Sequence, residues 1–322
     1  MGEQQDLFAQ LLPKPGLRDV EKLQTVQQGL PHQLYLGTTS WTYEDWHGLI
    51  YPLNCSPKTY LEHYAHLFRT VEIDSTWYRV PTSNSVQNWL ARTPDRFRFA
   101  AKVPRVITHE KGMVDCRDDI AEFTAAMAPL QPRTSALLMQ FGYVARGSDA
   151  REHETGDDFL RRLEAFLPEL PTDQFRFALE VRNARWLRPA LMDLLRTHGI
   201  ALALTSYYTM PEIGPLLQGP DPITADFLYI RFLGDRKKMD EYIAQLQQKG
   251  SKQKAWDGLV WDRRPQLAHW VGHLKNLLEQ RPQLQAHVFF NNHYAGYAPG
   301  SLSIFSRLWK GHRGGVPTPP GQ

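Results

Sequence analysis

Eight short segments rich in strand-forming residues recur along the chain, and helix-like patterns separate most of them. They are "LYLGTTS" (34–40), "TVEIDS" (70–75), "FRFAAKV" (97–103), "SALLMQF" (135–141), "FRFALEV" (175–181), "IALALTS" (200–206), "FLYIRFL" (227–233) and "HVFFNN" (287–292). "SPKTYLEHYAHLF" offers Ser56 as N-cap and Pro57 at the first helical position, with Tyr60, Leu61, Tyr64 and Leu67 along one face. "DDFLRRLEAFL" and "RPALMDLLRTHG" repeat that period, and Gly199 suits the residue just past a helix end. "DRRPQLAHWVGHLKNLLEQR" groups Leu267, Trp270, Val271, Leu274 and Leu278. Strand alternating with helix builds parallel βαβ units. Eight of them predict an α/β fold, a (β/α)8 TIM barrel, with a doubly wound open sheet as the alternative.

Two stretches depart from an even count. "YYTMPEIGPLLQGPDPIT" holds too many Pro and Gly for a full helix, and "DRKKMDEYIAQLQQKGSKQKAWDG" reads as an insertion after strand seven. The expected organisation is an N-terminal extension over 1–30, a barrel domain over 31–310 and a disordered tail over 311–322. With 322 residues, 42% of them hydrophobic, the chain can bury a large core.

Side chains alternate along a strand, so residues two apart share a face. In the third segment Phe97, Phe99, Ala101 and Val103 oppose Arg98, Ala100 and Lys102. In the fifth, Phe175, Phe177, Leu179 and Val181 oppose Arg176, Ala178 and Glu180, with Arg182 next on that second face. Segment two puts Glu72 and Asp74 together, segment seven Tyr229 and Arg231, and segment eight Phe289 and Asn291. One face is apolar, for the helices; the other carries charge near its C-terminal end, where barrels gather catalytic groups. Glu72, Asp74 and Glu180 against Lys102, Arg182 and Arg231 give three negatives and three positives, the balance that burial requires. An internal salt-bridge network that fixes strand register is the competing account. Arg98 and Arg176 stand at strand beginnings, where a charge serves stability.

A formal net charge of +3 neither requires nor excludes a nucleic-acid partner. Two cysteines, Cys55 and Cys116, make no disulfide scaffold and have no metal-ligand spacing around them. No apolar run approaches the roughly 20 residues that cross a bilayer, and the N-terminus lacks the pattern of a secretory signal, so a cytoplasmic protein without a membrane partner is expected.

The blocks "LGTTSWTYEDWHGLIYP", "TVEIDSTWYRVP", "FRFAAKVPRVITH", "ALEVRNARW", "LYIRFLG" and "VFFNNHYAGYA" resemble, in this order from about residue 34 to 305, the DUF72 or YecE-like family. The resemblance implies a TIM barrel and carries no established reaction. There are departures: Thr39 and Ser40 of "GTTSW" stand where the family often has Ser-Gly, "QFGYVARG" replaces "QFPP", and "YAGYAPGSL" lacks a frequent Asn-Ala pair.

The expected site joins strand ends and blocks. Glu72, Asp74, Lys102 and Glu180 are the candidate catalytic groups; Trp41, Tyr78, His109, Arg182, Trp186, Arg231, Asn291 and Asn292 are the candidate ligand contacts. Trp41, Tyr43, Trp46 and Tyr51 offer stacking faces for a sugar or base, or else roof the barrel. Lys102 can form a Schiff base or hold an anion, or can pair with Glu72 or Glu180. No metal is expected, because three cations share the mouth and would repel one, and no cofactor motif occurs. The expected activity is acid/base chemistry on a small polar or anionic metabolite, sugar-like or phosphorylated. A nucleic-acid-acting, endonuclease-IV-like phosphodiesterase and a non-catalytic ligand-binding module are the alternatives.

Overall fold

The computed structural model describes residues 18–142, 155–248 and 256–311. Its eight strands are β1 Leu34–Thr39, β2 Thr70–Ile73, β3 Arg98–Lys102, β4 Thr134–Gln140, β5 Phe177–Glu180, β6 Ala201–Tyr207, β7 Phe227–Gly234 and β8 Gln285–Phe290. Each pairs in parallel with the next, and β8 closes onto β1, giving the TIM barrel. Strand ends lie within two residues of their sequence positions, as expected where hydrogen bonding rather than composition sets the limit.

Alternation decides what each strand buries. Leu36, Val71, Ile73, Phe99, Leu137, Leu179, Leu204, Ile230 and Val288 join the large outer core beneath the helices. The other face makes a small interior cluster of Ala100, Ala136, Leu138, Ala178, Ala203, Tyr229 and Phe289. A barrel of this size is filled by such inward side chains rather than hollow. Gly37 is among the inward positions of β1, and a Cβ there would stand 2.2 Å from the Thr70 carbonyl oxygen, so β1 and β2 approach only because the residue is glycine.

Ten helices are named here in chain order. After α1 (Val20–Gln24) come α2 (Tyr60–Leu67), α3 (Ser83–Ala91), α4 (Arg117–Met127), α5 (Gly156–Phe166) and α6 (Pro189–Thr197). Then follow α7 (Ile213–Gln218), α8 (Arg236–Gln248), α9 (Arg264–Gln280) and α10 (Ala298–Gly311). Ser56 accepts from the Lys58 amide and opens a single 3-10 turn that leads into α2. Gly199, at φ +64°, follows α6, as its place after the helix predicts. The α9 stripe buries Leu267, Trp270, Val271, Leu274 and Leu278. Only six helical residues form in the Pro- and Gly-rich stretch after β6.

The described part of the N-terminal extension packs on the barrel through Val20, Leu23 and Val26, and Ser306 of α10 donates to the Val26 carbonyl at 2.7 Å. The segment after β7 is itself helical as α8, with 249–255 outside the described residues. Most of the expected tail (312–322) and most of the "QFGYVARG" loop (from 143) also lie outside them.

Candidate functional site

The barrel mouth has a buried ionic floor. In register, Thr39 of β1 faces Glu72, Gln140 of β4 faces Glu180, and Thr205 of β6 faces Arg231. Arg231 spans the interior: Nη2 donates to Glu72 Oε1 at 2.7 Å, and Nη1 donates to Glu180. The Tyr229 hydroxyl donates to Glu72 Oε2 at 2.7 Å, and Thr39 Oγ1 to Oε1 at 3.1 Å. Arg182 Nε donates to Glu180 Oε1 at 2.7 Å. Glu72 and Glu180 are fully buried, and Arg231 is 1% exposed. Burial alone would raise the Glu180 pKa; the flanking Arg231 and Arg182 reverse that and hold it at about 2. For Arg231 burial works the other way, and Glu180 and Glu72 more than compensate, so the guanidinium stays charged. Every oxygen of both carboxylates accepts a hydrogen bond, so both ions are locked beneath the mouth.

One layer higher the strands end in a second, more open pair. Ile73 faces Ala101 across β2 and β3, so the next residues, Asp74 and Lys102, come side by side and form an ion pair. The expected partners of Lys102, Glu72 or Glu180, are therefore corrected: Glu72 faces Ala100, a layer below. The Asp74 side chain is 35% exposed and that of Lys102 11%. Burial raises the Asp74 pKa, but the adjoining Lys102 more than offsets it, helped by Arg231 and Arg182, and the net shift is downward.

A cavity of about 400 Å³ opens over this pair. Asp74, Lys102, Arg182, Arg231 and Asn291, at or just past strand ends, line it together with Tyr78 and His109 from the loops that follow β2 and β3. His109 sits on the π-helical turn Val106–Glu110, its ring edge-on to Trp77 at 5.2 Å and its Nδ1 2.8 Å from Thr108 Oγ1. The Asn291 Oδ1 accepts from the His293 amide at 2.9 Å and lies 2.7 Å from the ring Nδ1. Burial lowers the His293 pKa despite Asp240, whose Oδ1 is 3.4 Å from Nε2.

Glu72 and Glu180 support this cavity from below and do not line it. Three expected contacts lie elsewhere. Trp41 is 8% exposed and meets Trp89 edge-on at 6.3 Å. Trp186 stacks on Phe159 of α5 at 4.3 Å, which places it in the outer core. Asn292 is buried, and its Oδ1 accepts from the Ala298 amide at 2.9 Å, holding the start of α10. In each case the residue follows a strand end, but the turn swings its side chain toward the helices.

The lining also includes groups the sequence expectation omits: Gln140, Tyr207, Arg236 and His293. Continuing the two-residue period along β4 and β6 reaches Gln140 and Tyr207. Tyr207 carries Arg182 over its ring, with Cζ 4.8 Å from the centroid. Arg236 and Asp240 come from α8, so the segment that reads in the sequence as an insertion after strand seven helps wall the mouth. Among the described residues no group of three or more His, Cys, Asp or Glu stands where it could hold a metal ion, and no helix is long and apolar enough to cross a membrane.

Comparison with known proteins gives the chain its family. The model of the family described as "Protein of unknown function DUF72" matches residues 35–322. The UPF0759 protein YecE of Escherichia coli K12 is 31% identical over 153 residues, which cover 48% of this chain and 50% of that protein. This match thus spans about half the length of that relative. The UPF0759 protein YunF of Bacillus subtilis is 24% identical over 304 residues, covering 84% of this chain and all of YunF. A DUF72 family crystal structure from Thermotoga maritima superposes with a TM-score of 0.63 at 25% identity, covering 87% of this chain and all of that one. Since the family model spans nearly the whole barrel, including every residue of the ionic mouth, the chain belongs to the DUF72 family.

Proposed function

We propose that the mouth binds a small anionic metabolite, a phosphorylated or carboxylated sugar-like compound, and moves a proton on it. The observation that carries this is the charge around the cavity: Lys102, Arg182, Arg231 and Arg236 surround a single lining carboxylate, Asp74. Guanidinium forks match carboxylate and phosphate oxygens, and Arg182 is held for that use by Glu180 below and Tyr207 beside it. A cavity of about 400 Å³ also falls in the size range of small-ligand sites.

Asp74 is the proton acceptor in this proposal and Lys102 its partner. While paired, Asp74 is ionised and weakly basic. A substrate oxygen that draws the Lys102 ammonium toward itself removes the main charge holding that pKa down, so the carboxylate becomes a better base once substrate is seated. The same ammonium then faces the oxygen on which negative charge develops. Glu72 and Glu180 act as fixed counter-ions that keep Arg231 and Arg182 aimed.

Thermal-shift measurements with a panel of sugar phosphates and hydroxycarboxylic acids test the binding. Wild type should be stabilised by at least one member and Lys102→Met should not; equal stabilisation of both would refute the site. Solvent-deuterium exchange into the bound compound tests the chemistry. Wild type should label it, and Asp74→Asn should bind without labelling. Binding without label in wild type would leave a ligand-binding module and remove the catalytic part.

A further inference from the structure

The opposite, N-terminal end of the barrel carries a second cavity, of about 470 Å³. That face of a TIM barrel ordinarily serves stability, and Arg98 and Arg176 stand at it as strand-opening charges. Their surroundings ask for more. His287 forms part of the cavity wall on the inward face of β8, is 2% exposed, and stacks on Tyr35 with centroids 4.9 Å apart. Neither ring nitrogen has a hydrogen-bond partner among the described residues. Buried polar atoms are nearly always paired, and an imidazole with both nitrogens unpaired is costly unless a ligand or water completes it.

The rim is basic. Arg176 lines the cavity, with Nη2 donating to Asp226 at 2.8 Å and Nη1 to Gln285 Oε1 at 3.1 Å. Arg98 also lines it, donates to the Asp95 and Phe97 carbonyls from Nη1, and has no carboxylate partner among the described residues. Asp173 is the one acidic side chain in the lining. We propose that this basal cavity is a binding site for a small oxyanion, the phosphate or carboxylate group of a metabolite, held by Arg98 and Arg176 with His287 as the inner hydrogen-bonding group. The site is separate from the mouth and does not depend on the function proposed there. Burial, reinforced by Arg176 and Arg98, depresses the His287 pKa to about 3, so the ring is neutral. A bound anion offsets both arginine charges and raises that pKa.

The test is NMR observation of the His287 ring in histidine-labelled full-length protein, titrated at constant ionic strength with inorganic phosphate and, separately, with malonate. A saturable shift of the His287 signals with either anion is expected, and the stronger of the two identifies the headgroup class. Arg98→Gln should weaken binding roughly tenfold, as loss of a charge-assisted hydrogen bond implies. Asp173→Asn, a change at an exposed loop position, should tighten it. Arg182→Gln at the mouth should leave the His287 response unchanged. His287 signals that stay fixed with both anions, or that respond equally in wild type and Arg98→Gln, would overturn the site, whatever is found at the mouth.

Discussion

Replacing Glu72 by Gln probes the ionic floor with almost no change of volume. Glu72 accepts three hydrogen bonds: from Arg231 at 2.7 Å, Tyr229 at 2.7 Å and Thr39 at 3.1 Å. A glutamine keeps one carbonyl oxygen for Arg231 and Thr39, but presents an amide N–H to Tyr229 where an acceptor stood. It also leaves Arg231, 1% exposed, with Glu180 as its sole counter-ion, and Glu180 is already shared with Arg182. Breaking a buried pair costs roughly 3–5 kcal/mol, and the surviving Glu180 contact favours the lower end, about 3 kcal/mol. Asp74→Asn removes a carboxylate that is 35% exposed and partly screened, so its cost is about 1 kcal/mol. Urea unfolding resolves the two: with a slope of ~3 kcal/mol per M, Glu72→Gln lowers the midpoint by about 1 M and Asp74→Asn by a third of that. Equal and negligible shifts would mean that the floor is solvated and the argument from burial is wrong.

Glu180 fixes a pH dependence. Its folded pKa, about 2, lies below the ordinary 4.5, so its contribution to stability is complete above pH 4.5 and is lost as pH falls toward 2. Glu180→Gln should flatten the acid limb of a stability-versus-pH curve, and an unchanged limb would contradict the shift. Ser40 has φ +62°, a left-handed conformation costly for a residue with a Cβ, so Ser40→Gly should stabilise by about 1 kcal/mol in the same urea assay; destabilisation would show that its hydroxyl contact to Thr42 matters more. Trp186→Ala should cost about 3 kcal/mol through the lost stack on Phe159, yet leave the affinity for any mouth ligand unchanged by calorimetry.

The barrel was legible in the sequence because two periods carry it. Residues two apart in "FRFAAKV" and "FRFALEV" divide cleanly between the outer core and the interior, and α9 buries the five residues its stripe names. The same rule brings Glu72, Lys102, Glu180 and Arg231 to one end of the barrel. What it leaves open is pairing. Nothing in "TVEID" says that Glu72 meets Arg231 while Asp74 takes Lys102; that follows from the register between β2 and β3 and from the reach of Arg231 across the interior. Residues past a strand end escape it altogether, because the turn conformation aims them: Trp186 and Asn292 go to the helices, whereas Asp74 and Asn291 go to the mouth. Arg236 reaches the cavity from α8, an element whose Lys- and Gln-rich composition signals only exposure.

In the function proposed here, the C-terminal mouth is where this barrel engages an anionic small molecule. Crystals soaked in a mixture of sugar phosphates and hydroxycarboxylic acids test it most directly. Difference density is expected over the Asp74–Lys102 pair, with phosphate or carboxylate oxygens against Arg182 and Arg236. A soaked compound bound elsewhere on the barrel with the mouth unchanged, or a neutral compound seated there without touching Lys102 or either arginine, would contradict it.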